Sequence, residues 1–319
     1  MLTERAGARG WPAIALARAC GGSPRVPFVL EQAPDTVLGS VAVDHLAVLR
    51  RYPDAFALTP GGVALRLPVG ERDDRLAEVH ADLRDQGLIV AWRDEPYPLR
   101  GRDGVVHGII ERAASRFWGT LTLGAHCNGY VADAQGRPTH LWIARRAETK
   151  PTDPGRLDNL VGGGVPAGQT PREALVREGW EEAGLVPDQM QGAVAHEVIE
   201  LECDIPEGRQ LEHLHVFDLE LPAGVSPRAI DGEVEWHRCL PVAEALARAA
   251  AGELTTDAAL VTLAFALRWQ LLEPAAAAAE STRAGVELDA SQARAFAALV
   301  ARGAGAGAAN PDFSTIQTH

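Results

Sequence analysis

Lysine is all but absent from this chain: Lys150 stands alone among 30 basic residues, and the other 29 are arginines. So strong a drift toward arginine singles out the one ammonium group. Cysteine is scarce as well, with four in 319 residues. Cys20, Cys127, Cys203 and Cys239 lie far apart, which excludes a disulfide scaffold and lacks the paired spacing of a zinc site; buried reduced thiols are expected. No run approaches the roughly 18 apolar residues of a membrane span. The early stretch from Trp11 to Cys20 is broken by Arg18 and preceded by Glu4, unlike a secretory signal. A cytoplasmic protein with no membrane partner is the expectation.

Positive charge is missing from one part only. The formal net charge is -13, yet residues 1–116 hold 15 basic and 15 acidic residues, so the whole deficit falls after residue 116. A neutral leading part and an acidic remainder make nucleic acid a poor partner.

What is present, 46% hydrophobic residues over this length, suffices for a sizeable core and about two domains. Short apolar runs at Val26–Leu30, Val37–Val43, Val63–Leu67 and Leu88–Trp92 alternate with a helical pattern over Asp73–Gln86, as in a mixed α/β module. From Gly119 the texture changes. Strand-like runs at Gly129–Ala132 and His140–Ala144 flank a turn at Asp133–Gly136, and a Pro/Gly-rich loop spans Pro151–Gly168. A helix follows, then strands near Val194–Cys203 and His213–Leu221, then a helix over Asp257–Leu272. Beyond it, Asp289 and Gln292 resemble a capping pair ahead of Ala293–Ala301, and residues 303–319 are expected to be mobile. The division expected is 1–115, an α/β domain; 116–275, the chemical domain; and 276–319, an Ala/Gly-rich helix and tail.

The segment from Gly162 to Leu185 carries the chemistry. Thr170 can cap a helix, Pro171 suits its first position, Glu173 completes a capping box and Gly184 can end it. At about 100° per residue, Glu178, Glu181 and Glu182 share one face, with Val176, Gly179 and Ala183 turned toward a core. Three like charges repel, and they lie at the end of the helix where the dipole disfavours anions. A divalent cation reverses both penalties: hard Mg2+ takes carboxylate and phosphate oxygens together with water. Arg177 can hold a neighbouring carboxylate by bidentate hydrogen bonds.

This segment resembles the Nudix box: Gly, five residues, Glu, seven residues, then Arg-Glu-apolar-x-Glu-Glu-x-Gly-apolar. Gly163, Arg177, Glu178, Glu181, Glu182, Gly184 and Leu185 match it, while Gln169 replaces the first glutamate and Gly179 an apolar residue. Over roughly residues 105–272 the chain is similar to the thiamine pyrophosphokinase-related branch of that family, through Asn128–Val131, Trp142–Lys150, Leu157–Gly164, Asp231–Glu235 and Leu254–Leu260. The resemblance implies a Nudix α/β/α sandwich with a mixed sheet, preceded by a smaller α/β domain. It also implies a hydrolase of diphosphate linkages that uses Mg2+ or Mn2+.

Carried over residue by residue, Glu178, Glu181, Glu182 and the carbonyl of Gly162 are the expected metal ligands. Arg177 orients them, and Glu233, with Glu235 two residues on, is the further carboxylate from outside the box. Asn128, Arg145, Arg146, Lys150 and Asn159 are the expected substrate contacts, the three cations suited to phosphate. His126, His213 and His215 read as ordinary strand residues, and Trp92, Trp118 and Trp142 as core before stacking platforms. In that branch the substrate is thiamine diphosphate or its oxo and oxy analogues, cleaved to the monophosphate and orthophosphate. The rival readings are a hydrolase of nucleoside diphosphate derivatives such as ADP-ribose and a ligand sensor without turnover. Intact glutamates argue against the sensor; an isomerase would need a proton-transfer pair that the sequence does not offer. The partner is thus a small-molecule diphosphate, and a homodimer is compatible with the sequence.

Overall fold

The computed structural model describes residues 10–272 and 286–303. After a short helix α1 (Pro12–Leu16), strands β1 (Arg25–Leu30) and β2 (Ala33–Ala42) pair antiparallel. The one-turn helix α2 (Leu46–Leu49) leads to the hairpin β3 (Phe56–Thr59) and β4 (Gly62–Leu65), and β1 runs parallel to β4 in a four-stranded sheet. Helix α3 (Val69–Asp85) buries Leu76, Val79 and Leu83 against Phe28, Phe56 and Trp118.

Leu88–Trp92, expected as a strand, ends that helix instead. Gly87 turns the chain out at φ 72°, the N–H groups of Leu88 and Ile89 return to the Leu83 carbonyl, and Ala91 takes φ 58°. Such a conformation has no place in a strand. The strand comes later, at β5 (Pro96–Arg100), paired with β6 (Val106–Glu111). Two prolines disguise β5 as a loop, but it lies in the outer hairpin of its sheet, where a missing N–H is tolerated.

Helix α4 (Ala114–Trp118) leads into β7 (Leu121–Ala132), the strand around which the larger, nine-stranded sheet is built. Next come β8 (Pro138–Arg146), β9 (Leu157–Asp158), β10 (Val161–Gly164), α5 (Pro171–Ala183) and α6 (Pro187–Met190). The hairpin β11 (Val194–Ile205) and β12 (Gly208–Glu220) precedes β13 (Val234–Pro241), α7 (Val242–Ala250), α8 (Thr256–Arg268) and α9 (Ala290–Gly303). β7 runs parallel to β12 and antiparallel to β8 and β10, so the sheet is mixed. It also meets β5 at the single pair Arg100 and Leu121, which welds the leading hairpin onto this sheet.

Period-2 alternation sends successive side chains of β7 and β12 to opposite faces. Cys127 and Phe217 pack with Leu175 and Ala183 of α5, whereas Leu214 and Val216 pack with Leu260 and Phe265 of α8. The result is the expected α/β/α sandwich with a smaller α/β unit before it.

Within the loop expected over Pro151–Gly168, β9 and β10 are short strands; the glycines of β10 read as loop because they lack the side chains that mark strands. Asp289 and Gln292 form the expected reciprocal cap of α9; of residues 303–319, expected to be mobile, Gly303 is instead the buried last residue of α9 and 304–319 lie outside the described residues. Of the four free thiols, Cys127 and Cys203 are buried, but Cys20 and Cys239 are exposed. Among the described residues no helix is long and apolar enough to cross a membrane.

Candidate active site

Helix α5 is fixed at both ends by local chemistry. Thr170 accepts from the Glu173 N–H at 3.3 Å while its own N–H donates to Glu173 Oε2 at 2.8 Å. At the other end Gly184 adopts φ 65°, and the N–H groups of Gly184 and Leu185 return to the carbonyls of Trp180 and Gly179. Gly179 is buried against α6 rather than the sheet: a Cβ there would lie 2.8 Å from Met190 Sδ. Gln169, at the other departure from the box, accepts a long hydrogen bond from Arg177 Nε at 3.4 Å.

The three glutamates diverge in environment. Glu182 is buried and accepts the Gly162 N–H at 3.1 Å. Both backbone groups of a strand residue face the same edge, so the Gly162 carbonyl is also turned to this side. Glu178 nestles against Gly163, where any Cβ would overlap its carboxylate. Arg177 grips Glu178 at 2.8 Å and Glu181 at 2.6 Å, and Glu181 stays at the rim, 41% exposed and outside the cleft lining. Burial, then the nearby Glu178 and Asp158, push the Glu182 carboxyl well above its usual range. Glu178 is raised as well, by burial ahead of the opposing pull of Arg177.

Among the described residues no three His, Cys, Asp or Glu side chains converge as a ready-made metal cluster. The donor set nevertheless fits a hard divalent cation. The buried Glu182 and the half-buried Glu178, both raised above the usual carboxylate range, lie beside a backbone carbonyl edge, and a cation there would favour their ionised forms.

The cleft in front of them, about 330 Å3, is lined by Glu178, Glu182, Gly162, Gly163, Glu233 and Lys150, and by Arg93, Glu95 and Arg112 from the leading unit. Lys150 pairs with Glu233. Burial works to raise the Glu233 carboxyl, but Lys150, with Arg112 and Arg93 behind it, outweighs burial and leaves the group below its usual range. A second cavity of about 420 Å3 adjoins the cleft and shares the lining residues Arg93, Arg112, Arg146, Thr152, Gly162 and Gly163. Its far wall carries His126, Gln210, Glu212 and Asp257. Burial and the neighbouring Glu212 push Asp257 up to about 6, whereas Arg116, bonded to Glu212 at 2.9 Å, keeps Glu212 below the usual range against its burial.

Several expected contacts do not reach the site. Asn128 and Asn159 are buried and spent on the protein. Asn128 donates to Asp218 at 2.9 Å and to the Val261 carbonyl at 3.2 Å, and Asn159 donates to Asn128 at 3.1 Å and to Thr262 at 3.2 Å. Their polar heads bind β7 to α8, because a polar group buried between sheet and helix must be satisfied there. Arg145 pairs with Glu148 and Glu235, away from both cavities. Arg146 reaches the cleft but is committed: it donates to Asp158 at 3.0 Å and to the Thr152 and Asp153 carbonyls at 2.9 and 3.2 Å, pinning the loop before β9.

The tryptophans follow the core reading. Trp118 stacks on Phe28 at 4.5 Å and donates to His80 at 2.8 Å, and neither Trp92 nor Trp142 lines the cavities. Sequence reasoning missed Arg93, Arg112, Glu212 and Asp257. The available hint was the charge at both ends of one hairpin, Arg93-Asp94-Glu95 and Glu111-Arg112.

Comparison with known proteins agrees with this layout. Residues 124–260 match the NUDIX domain, and residues 20–122 match a domain of unknown function, DUF4743. The chain is 35% identical over 237 residues to Nudix hydrolase 20, chloroplastic, of Arabidopsis thaliana, covering 69% of this chain and 61% of that protein. It is 33% identical over 257 residues to Nudix hydrolase 24, chloroplastic, of the same plant, covering 78% of this chain and 69% of that one. A crystal structure of a Deinococcus radiodurans protein aligns at 28% identity with a TM-score of 0.40, covering 52% of this chain and 97% of the other. The chain thus spans about three-fifths to two-thirds of the plant proteins' length, and on the extent of that match it belongs to the Nudix hydrolase family.

Proposed function

We propose that this protein is a Mg2+- or Mn2+-dependent hydrolase of a small organic diphosphate. The observation that carries the reading is one cleft lined by the buried Glu182 and the half-buried Glu178 together with arginines. Glu178, Glu182 and the Gly162 carbonyl would hold the cation, and Arg177 fixes the orientation of Glu178. When bound, the cation neutralises the diphosphate and acidifies water. Glu233, held below the usual carboxylate range by Lys150, would be available to position the attacking water or to accept its proton.

The organic end belongs in the larger cavity. A wall of Glu212, Asp257 and Gln210 suits a heteroaromatic ring that carries amino groups or positive charge. This favours thiamine diphosphate or its oxo and oxy analogues, cleaved to the monophosphate and orthophosphate. On this reading residues of both units, Ala91 and Arg93 as well as Gln210 and Asp257, would contribute to specificity for the organic end. The division into residues 1–115, 116–275 and 276–319, a homodimeric assembly and a cytoplasmic location are part of the same proposal.

A panel of diphosphates assayed with Mg2+ tests it. Orthophosphate released fastest from thiamine-type diphosphates supports the reading. Two monophosphates released preferentially from ADP-ribose would move the substrate to nucleoside diphosphate derivatives.

A further inference from the structure

Two of the four cations that line the cleft, Arg93 and Arg112, come from the unit matched by a domain of unknown function. Arg93 and Arg112 sit at the seam of the two cavities and line both. Arg112 donates one N–H to Glu95 at 2.8 Å and lies over the Tyr97 ring at 5.4 Å; its other N–H groups meet no acceptor among the described residues. The Arg93 guanidinium has no hydrogen-bond acceptor or carboxylate partner among the described residues.

Arg93 is nonetheless held in place. Its backbone N–H donates to Glu111 at 2.8 Å, as do those of Glu95 at 3.1 Å and Ala113 at 3.3 Å. Ala91 and Asp94, at φ 58° and 57°, bracket it in left-handed backbone that side chains other than glycine seldom adopt. Burial and the proximity of Arg112 make Arg93 easier to deprotonate than a free arginine. Both guanidinium groups thus bring unspent donors to a shared cleft, where the oxygens of a diphosphate would satisfy them.

We infer that Arg93 and Arg112 bind the non-bridging oxygens of the substrate diphosphate, so that the N-terminal unit supplies the phosphate-holding wall of the active site. The inference rests on the diphosphate reading for its ligand but not on turnover. Arginine suits the role because its planar fork matches phosphate geometry. The N-terminal unit is then part of the binding site.

The test is calorimetric titration of the full-length protein with methylenediphosphonate, which cannot be hydrolysed, in the presence of Mg2+. Wild type should bind, and Arg93→Ala and Arg112→Lys should each weaken binding at least about tenfold, with Arg93→Lys recovering only part of the loss. Melting temperatures and titration with Mg2+ alone report on folding and on the metal site. Should Arg112→Lys misfold, Arg93→Ala decides alone. Wild-type affinity in the folded variants, or no binding by wild type, overturns the assignment. Binding that depends on both arginines but without hydrolysis of any diphosphate would refute the proposed activity and leave this site standing.

Discussion

Lys150, the single lysine of the chain, forms an ion pair with Glu233 beside the box carboxylates, joining the loop after β8 to the segment before β13. The pair holds the Glu233 carboxyl below its usual range and places positive charge near Glu182, whose carboxyl it partly relieves. Lys150→Ala should therefore lower kcat/KM about tenfold while the melting temperature moves little, since part-exposed ion pairs contribute little to folding. In a double-mutant cycle Glu233→Gln and Lys150→Ala should be non-additive. Additive losses, or unchanged kinetics with a lower melting temperature, would make the pair structural only.

Gly163 has no side chain because Glu178 occupies the space that a Cβ would take. Gly163→Ala should push the Glu178 carboxylate aside and cost at least about tenfold in metal-dependent turnover, since small displacements of reacting groups are expensive. The displaced group is the end of a flexible side chain, so the fold should survive. Full activity of the alanine variant would contradict the placement of Glu178.

Burial, and after it the neighbouring Glu212, push the Asp257 carboxyl up to about 6. A raised folded-state value means that the proton stabilises the fold fully below about 4 and that this contribution is lost as pH rises through about 6. Asp257→Asn removes the buried charge at any pH. Its melting temperature should exceed that of wild type by a few degrees at pH 8, and the advantage should shrink toward pH 5. An equal difference at both pH values, read by differential scanning fluorimetry, would show that burial and Glu212 do not act on Asp257 in this way.

Asn128 is a structural residue here. Asn128→Ala removes one hydrogen bond each from Asp218, which keeps Arg268, and from Asn159, which keeps Thr262, at a cost of about 1 kcal/mol per bond lost. A fall of several degrees in melting temperature with KM unchanged is expected. A raised KM at unchanged stability would return Asn128 to the substrate site.

These residues also mark how far the sequence carries. The box helix was legible because its signals are local: Thr170, Glu173 and Gly184 lie within one short segment, and the glutamate spacing sets a face. Sequence spacing did not separate Glu181 from Glu182, because Arg177 and the Gly162 edge, not helix geometry alone, decide which carboxylate is buried. The Leu88–Trp92 run misled because apolar residues after a helix cap look the same as a strand when Gly87 is not recognised as the turn. Arg93 and Arg112 were invisible among so many arginines. They reach the site because the β5–β6 hairpin adds to the sheet at Arg100 and Leu121, and Glu212 reaches it through the parallel pairing of β12 with β7. Such long-range pairings leave no periodic trace in the sequence.

The central claim is that Glu182, buried against Gly162, holds a cation on which diphosphate hydrolysis depends. Its most direct test is steady-state hydrolysis of thiamine diphosphate and ADP-ribose by wild type and Glu182→Gln across a Mg2+ titration, with melting temperature as the control for folding. Glutamine keeps the size and the hydrogen bond but removes the charge, so turnover of whichever diphosphate wild type cleaves should fall at least about a hundredfold in a folded protein. Near-normal turnover of the folded variant at saturating Mg2+ would contradict the claim.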